Sequence, residues 1–351
     1  MNAIPLLESL VNMPSVSGNE RALADFLCDS LDKEGFEVQR EGDSIWFTLG
    51  AERPHLLLVS HIDTVPPCDG WTGDPFKLCV DGDKLIGLGA NDAKGSVAAM
   101  IVAAPALRET KLEGSVTLAF VVEEERGGDG IRAVKPKLGV IDAAIIGEPT
   151  SLEVCSAQRG MLMLRCIAHG ESAHVAHSHL GQNAIHKAAR DIERLTAMAF
   201  EPHHLLGETR TQVTEISGGL ARNQIPDRCE FLVDLRTTPN LDHIAVTAQI
   251  KSALESEVIV HSDRYVSVAT DEREAIVQAA LAAAGKSQCA SSVATSDWAF
   301  LKGTPAVKVG PGDTHRSHRA NEFLLASELE AGAEFYRLVA KHYFEMVHAH
   351  V

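Results

Sequence analysis

The sequence predicts an open α/β fold into which a separate α+β segment is inserted. Three observations carry that expectation. First, four apolar runs of strand length (Leu56 onward, Ser115 to Val122, Ala143 to Ile146, Ala306 to Val309) each deliver an imidazole or carboxylate just past their C-terminal end. Open α/β sheets place their sites there. Second, the order of patterns between residues 156 and 264 is β-α-β-β-α-β, the split βαβ arrangement of a ferredoxin-like domain. Third, 351 residues are long for one hydrophobic core.

In chain order, Ser17-Gly-Asn-Glu20 fits a capping box, and Leu23, Phe26, Leu27 and Leu31 then recur at helical spacing until Gly35. A strand is expected near Ile45 to Leu49, and the run LLLVSHIDTV from Leu56 to Val65 follows. Alternate residues of an extended chain face the same way, so His61 and Asp63 project together from a strand end. The loop from Pro66 to Gly89 is rich in Gly, Pro and Asp. Asp92 then sits in the glycine-flexed stretch Gly87-Leu-Gly-Ala-Asn-Asp-Ala-Lys-Gly95, ahead of an Ala-rich helix from Ser96 to about Leu107. A carboxylate there can reach two cations at once.

The next strand runs into Glu123, Glu124 and Glu125, and the one after it into Gly147 and Glu148. Past Glu148-Pro-Thr the inserted segment reads as a strand from Met161 to Ala168, a helix from Asn183 to about Met198, and strands Thr211 to Ser217 and Cys229 to Leu235. A helix from Leu241 to Leu254 and a strand from Glu257 to His261 complete it. The α/β pattern resumes with a helix from Glu272 to Ala284, the Ala306 strand, a Gly-Pro-Gly turn before His315 and His318, and a C-terminal helix from Ser327.

Composition removes several classes of function. A net charge of -16 argues against a nucleic-acid or anionic-membrane partner. Seven cysteines, an odd number without a CxxC pair, read as reduced and mostly buried thiols of a cytoplasmic protein. From Met1 the chain runs straight into polar and helical sequence, so neither a signal peptide nor a membrane span is expected.

Each candidate has a bland reading when taken alone. A glutamate run is most often a solvated face, an Asp among glycines is a turn residue, and a His after a strand is a structural histidine. The combination of His61, Asp63, Asp92, Glu124, Glu125, Glu148 and His318 shifts the balance. Imidazole and carboxylate donors suit zinc, cobalt or manganese without cysteine, and crowded carboxylates repel unless cations neutralise them.

The stretches SHIDTVPP, WTGDPF, LIGLGANDAKG, VVEEERGG, GEPTSL, SAHVAHSHLGQNAI, NQIPD, LVDLRTTP and GPGDTHRSHRANEF run nearly the length of the chain. In that order they resemble the dizinc acetylornithine deacetylase family, which also holds succinyl-diaminopimelate desuccinylase and carboxypeptidase G. The resemblance implies a zinc-peptidase-like α/β catalytic domain from residues 1–155 and 265–351. It makes residues 156–264 a ferredoxin-like α+β dimerisation and lid domain. It implies two zinc ions, replaceable by cobalt or manganese: His61 and Glu148 hold one, Glu125 and His318 the other, and Asp92 bridges them. Asp63 then stands behind His61, and Glu124 is the general base. His174 is implied to reach the partner subunit's site in a homodimer and to stabilise the oxyanion, while Asn223 and Arg236 hold the substrate carboxylate. The Arg-Ala-Asn-Glu after His318 fits the family's pattern and selects His318 over His315.

Arg126, Ala173, Arg316 and Arg319 depart from commoner relatives, and the arginines beside His318 place positive charge near the metals. A cluster of His169, His174, His177 and His179 also invites a metal reading, but local carboxylates are few. The implied reaction is hydrolysis of an N-acyl amino acid, with N-acetylornithine in arginine biosynthesis leading. N-succinylornithine, N-acetylcitrulline, N-acetyllysine, succinyl-diaminopimelate and dipeptides are the alternatives. A non-catalytic amino-acid-binding homologue would be expected to have lost a ligand or the base, and none is lost here.

Overall fold

In the computed structural model, which describes residues 2–110 and 113–349, the four apolar runs lie side by side in one mixed sheet. Seven of its nine strands among the described residues run, in order, Gln39–Glu41, Ser44–Leu49, Ser115–Val121, His55–His61, Ala143–Ile146, Ala306–Lys308 and Cys155–Gln158, with the short Val268–Ala269 and Ala290–Ser292 beside the last. The middle four are mutually parallel, and the flanking Ser44–Leu49 and Cys155–Gln158 are antiparallel to their neighbours. All four parallel strands therefore release their chains at one edge.

Within the sheet the chain leaves His55–His61 toward Ser115–Val121 on one side, whereas it leaves the adjacent Ala143–Ile146 toward Cys155–Gln158 on the other. That is a topological switch point, where an α/β sheet opens a crevice for a ligand. Leu56, Leu57, Leu58 and Val59 are wholly buried, each contributing about 1.5–3 kcal/mol relative to an exposed side chain. Register carries this order to the strand ends. His61 pairs with Val121, and Ile62 N donates to Val121 O at 2.8 Å. On the other side Gly147 N donates to Val59 O at 2.7 Å, which sets Glu148 beside His61.

The helix Lys94–Glu109 packs on the central strand and against the long helix Ala326–Ala349, which also packs on Ala275–Ala284. Nearly every side of Lys94–Glu109 is buried, which explains its alanines. Gly147 is required by this packing. A Cβ there would meet Met100 Cε at 2.5 Å and Tyr336 Oη at 2.8 Å.

The predicted capping box does not form. The helix Arg21–Lys33 has no side-chain cap. Ser17 Oγ donates instead to Asp63 Oδ2 at 2.7 Å, and Glu20 accepts the Gly18 N–H at 2.9 Å. A contact 46 residues away in sequence outcompetes the local motif.

The chain divides into two units. One holds everything up to Ser156, Ala269–Ser291 and the chain from Ser296 on; the other holds Ala157–Val268 and Ser292–Thr295. The short return joins the second unit through the Arg159 N–H, which donates to Ser292 O at 3.0 Å. In that unit the strands lie in the order Arg210–Gly218, Arg228–Arg236, Met161–His169 and Glu257–Tyr265, all antiparallel, with helices Ala184–Thr196 and His243–Ala253. Along Arg228–Arg236 burial alternates, and Cys229, Phe231, Val233 and Leu235 join Leu162, Leu164 and Cys166 in the core. Asn183 and Asp242 cap the two helices by accepting backbone N–H groups.

The expectation of mostly buried cysteines fails in part. All seven thiols are unpaired and Cys155, Cys166 and Cys229 are buried, but Cys68 and Cys79 are exposed in loop and edge positions. No helix among the described residues is long and apolar enough to cross a membrane.

Candidate metal centre

The first unit brings seven predicted residues to the sheet edge. His61 ends the central strand with 1% of its surface exposed. Its Nδ1 lies 3.0 Å from Asp63 O, while Nε2 faces the crevice, 3.3 Å from Asp92 Oδ1 and 3.9 Å from Glu148 Oε1. Asp63 is fully buried and does more than back the imidazole. It accepts the Ser17 hydroxyl and the backbone N–H groups of Glu124 (3.1 Å) and Glu125 (3.2 Å). One carboxylate thus orients His61 and anchors the turn that presents both glutamates. That turn needs Glu123 in the left-handed region at φ 57°.

Glu125 Oε1 and His318 Nε2 are 2.9 Å apart, and His318 lies 3.8 Å from Asp92 Oδ2. His318 is half-exposed and also left-handed, at φ 58°. His315 is not brought in. It turns back onto Asp313 Oδ1 at 2.8 Å, largely in solvent.

Among the described residues two donor groups have all ligand atoms within 4.8 Å of one another: His61, Glu124 and Glu148, and His61, Asp92 and Glu125. They share His61 and touch His318 through Glu125 and Asp92. Overlapping groups of imidazole and carboxylate, without thiolate, are a chemical fit for a pair of divalent cations. Among the described residues the exposed His174, His177 and His179 form no such group. His174, His177 and His179 stand with ring centroids 6.2 and 6.3 Å apart.

The electrostatics follow from crowding. Burial opposes charge on His61, yet its bonds to Asp63 and Asp92 and the Glu148 charge keep the imidazolium favoured well above the usual range. Burial raises Asp92, but His61 outweighs it and holds the carboxyl below its ordinary value. Burial, opposed by Lys308, pushes Glu148 up to about 7. Glu124 keeps partial solvent access, yet desolvation and then the Glu148 charge raise its carboxyl well above the ordinary range. The bond to Glu125 lifts His318 to about 9.

Several contributors were not singled out from the sequence. Glu322, 2% exposed, accepts the N–H groups of Asn91 and Asp92 on Oε1 at 3.0 and 3.1 Å. Lys94 is buried and donates from Nζ to Leu10 O and Met13 O, fixing the helix start behind Asp92; burial pulls it down to about 7. Asp297 is buried beside the centre with no hydrogen-bond partner for Oδ1. Burial first, then the charges of Asp63 and Glu148, keep its proton on well above the ordinary carboxyl range, with His61 opposing. The one available signal was adjacency: Glu322 closes the Arg-Ala-Asn-Glu that selects His318.

The expected positive charge beside His318 is largely committed. Arg316 forms a two-pronged bond to Glu328 (2.6 and 3.1 Å) and stacks 4.5 Å over Phe323, and Arg319 donates to His315 O. Arg126 donates to Ser17 O.

The second unit holds the other three candidates. His174 ends a two-residue strand paired with Gln224–Ile225, and Asn223 lies in the turn just before that partner, where Val175 N donates to Asn223 O. Ala176 N donates to His174 Nδ1 at 3.1 Å, so the neutral ring carries its proton on Nε2. The Arg236 fork is engaged by Asp234, at 2.8 and 3.0 Å.

Comparison with known proteins agrees with this architecture. Solved structures superpose on nearly the whole chain at low identity. An aminopeptidase from Bacillus cereus does so with TM-score 0.81 and 20% identity, over 97% of this chain and 98% of that one. A metallo-carboxypeptidase from Sulfolobus solfataricus gives 0.78 and 19%, over 98% and 100%. A dinuclear metal-binding peptidase from Bacillus subtilis gives 0.77 and 19%, over 96% of each chain. These likenesses establish the fold. The model of Peptidase family M20/M25/M40 matches residues 57–342, from the central strand to the C-terminal helix, and the chain belongs to that family.

Proposed function

We propose that this member of the family removes the acyl group from an N-acyl amino acid, with N-acetylornithine as the leading substrate and arginine biosynthesis as the setting. The observation that carries the reading is the convergence of His61, Asp92, Glu125, Glu148 and His318 on one crevice beside Glu124, a partly solvent-accessible carboxylate of raised proton affinity. Zinc is the expected metal, with cobalt or manganese able to substitute. Bound cations would polarise the scissile carbonyl and acidify a water. His61 and Glu148 would hold one, Glu125 and His318 the other, and Asp92 both.

The remaining work falls to the chain. Glu124 takes the proton of the attacking water and returns it to the leaving amine. Its raised proton affinity suits both transfers, since a strongly acidic carboxyl would accept poorly. Asp63 holds the Glu124 backbone in place during the exchange. His174, with a proton on Nε2, offers a donor to the developing oxyanion. Asn223 and Arg236 receive the substrate carboxylate, for which Arg236 must exchange its Asp234 partner.

For His174 to serve a partner's centre the protein must be a homodimer. The strand Arg210–Gly218 supports this: it is an edge of its sheet, and Ile216 and Leu220 near it are exposed. Seven unpaired thiols support a cytoplasmic setting.

Metal-loaded protein incubated with N-acetylornithine should release acetate and ornithine. A panel adding N-succinylornithine, N-acetylcitrulline, N-acetyllysine, succinyl-diaminopimelate and short peptides fixes the substrate class. Short peptides belong in it because structural neighbours include an aminopeptidase and a tripeptidase. Turnover of peptides alone would overturn the deacylase reading.

A further inference from the structure

We propose that Glu322 is a positioning residue that locks the loop of Asp92 to the loop of His318, and thereby sets how tightly cations are held between them. The inference rests on the reading that Asp92 and His318 are ligands. His318 cannot be held by its own packing: its side chain is half-exposed and its backbone is left-handed. Asp92 lies in a glycine-rich stretch with little regular structure. Yet six hydrogen bonds tie the two loops to each other.

Glu322 Oε1 accepts the N–H groups of both Asn91 and Asp92, and Glu322 O accepts Gly87 N–H at 3.0 Å. From the other side Asn91 Nδ2 donates to Asp313 O at 3.0 Å and to Ser317 Oγ at 3.1 Å. Asn91 Oδ1 accepts the Asp313 N–H at 3.0 Å, an approach that only glycine at 312 permits, because a Cβ there would lie 2.3 Å from that oxygen. Asn91 and Glu322 are both buried, so neither can exchange these bonds for water. The two ligand loops thus move together or not at all. What Glu322 supplies is a single acceptor oxygen placed between two adjacent amides, and an amide oxygen would serve equally.

The test is Zn(II) affinity measured by competition with a chromophoric chelator, alongside thermal unfolding of each metal-free protein. E322A should bind about 10–100-fold more weakly than the parent, the usual cost of losing a ligand's supporting partner. Its metal-free form should unfold at a lower temperature because two buried N–H groups lose their acceptor, a loss that E322Q should reverse. E322Q should remain within about threefold, on the same outer-partner scale. E322A binding as tightly as the parent would overturn the proposal. So would E322Q falling as far as E322A, which would make charge the relevant property. Should E322A fail to fold, S317A removes one tie at a half-buried position and should weaken binding several-fold; no change there counts against the clamp. A parent protein that binds no Zn(II) would sink the ligand reading itself, an outcome separable from the others.

Discussion

Adjacent carboxylates at this centre do different work because their surroundings differ. Asp63, fully buried, accepts two backbone amides and a hydroxyl and so fixes other groups. Glu125 reaches His318. Glu124 has partial access to solvent and a raised proton affinity. On this division Glu124→Gln should lower kcat by about 10²–10⁴-fold, the usual contribution of a general base, and leave metal content at the parent's level. Equal turnover by the two proteins would remove Glu124 from the chemistry, and loss of metal would instead make it a ligand. Ser17 illustrates how a residue hides in sequence. Ser-x-x-Glu before an apolar periodic run satisfies the local rule for a helix start, whereas its actual partner is Asp63.

The elements were far more legible than the loops that join them. Strands wholly buried on both faces read as continuous apolar runs, so all four central strands, and the imidazole and carboxylate groups just past their ends, could be placed from the sequence. The β-α-β-β-α-β order was visible because alternation and helical spacing are local patterns. Glu322, Asn91 and Lys94 were not visible, since each acts on backbone groups of a distant loop and side-chain type alone does not specify such a partner. The unpaired outer edge of Arg210–Gly218 makes its own prediction. A charge at Ile216, 57% exposed, should disfavour apolar pairing between copies. Light scattering should find Ile216→Asp monomeric where the parent is dimeric, and kcat should fall with dimer content if His174 acts across the interface. A dimer that survives Ile216→Asp places the contact elsewhere.

At the scale of the molecule, the net charge of -16 and the carboxylate cluster tie folding to protons and cations. Burial raises Glu148 to about 7 and Glu322 to about 8, with Lys308 the chief opposing influence on the first and backbone N–H donors on the second. The Glu125 bond raises His318 to about 9. In each case the native state binds its proton more tightly than the unfolded chain, whose carboxyls titrate near 4.3 and imidazoles near 6.5. Stability from these groups is therefore fully present below those unfolded values and is lost as pH rises through about 7, 8 and 9. Metal-free protein should unfold at lower temperature as pH rises from 6. The fall should be shallower above about pH 7, where Lys94, held down to about 7 by burial, binds its proton less tightly in the native than in the unfolded chain and opposes the loss. If Glu148 and His318 hold cations as proposed, the cations displace their protons and should reverse the trend. Binding should tighten over the same interval, and calorimetry in buffers of different ionisation enthalpy should register net proton release near pH 6.5. Metal-loaded protein should gain most in unfolding temperature at the alkaline end, where the uncompensated carboxylates repel most. A metal-free protein that grows more stable from pH 6 to pH 9, or binding without proton release, would mean that these groups do not carry the protons assigned to them.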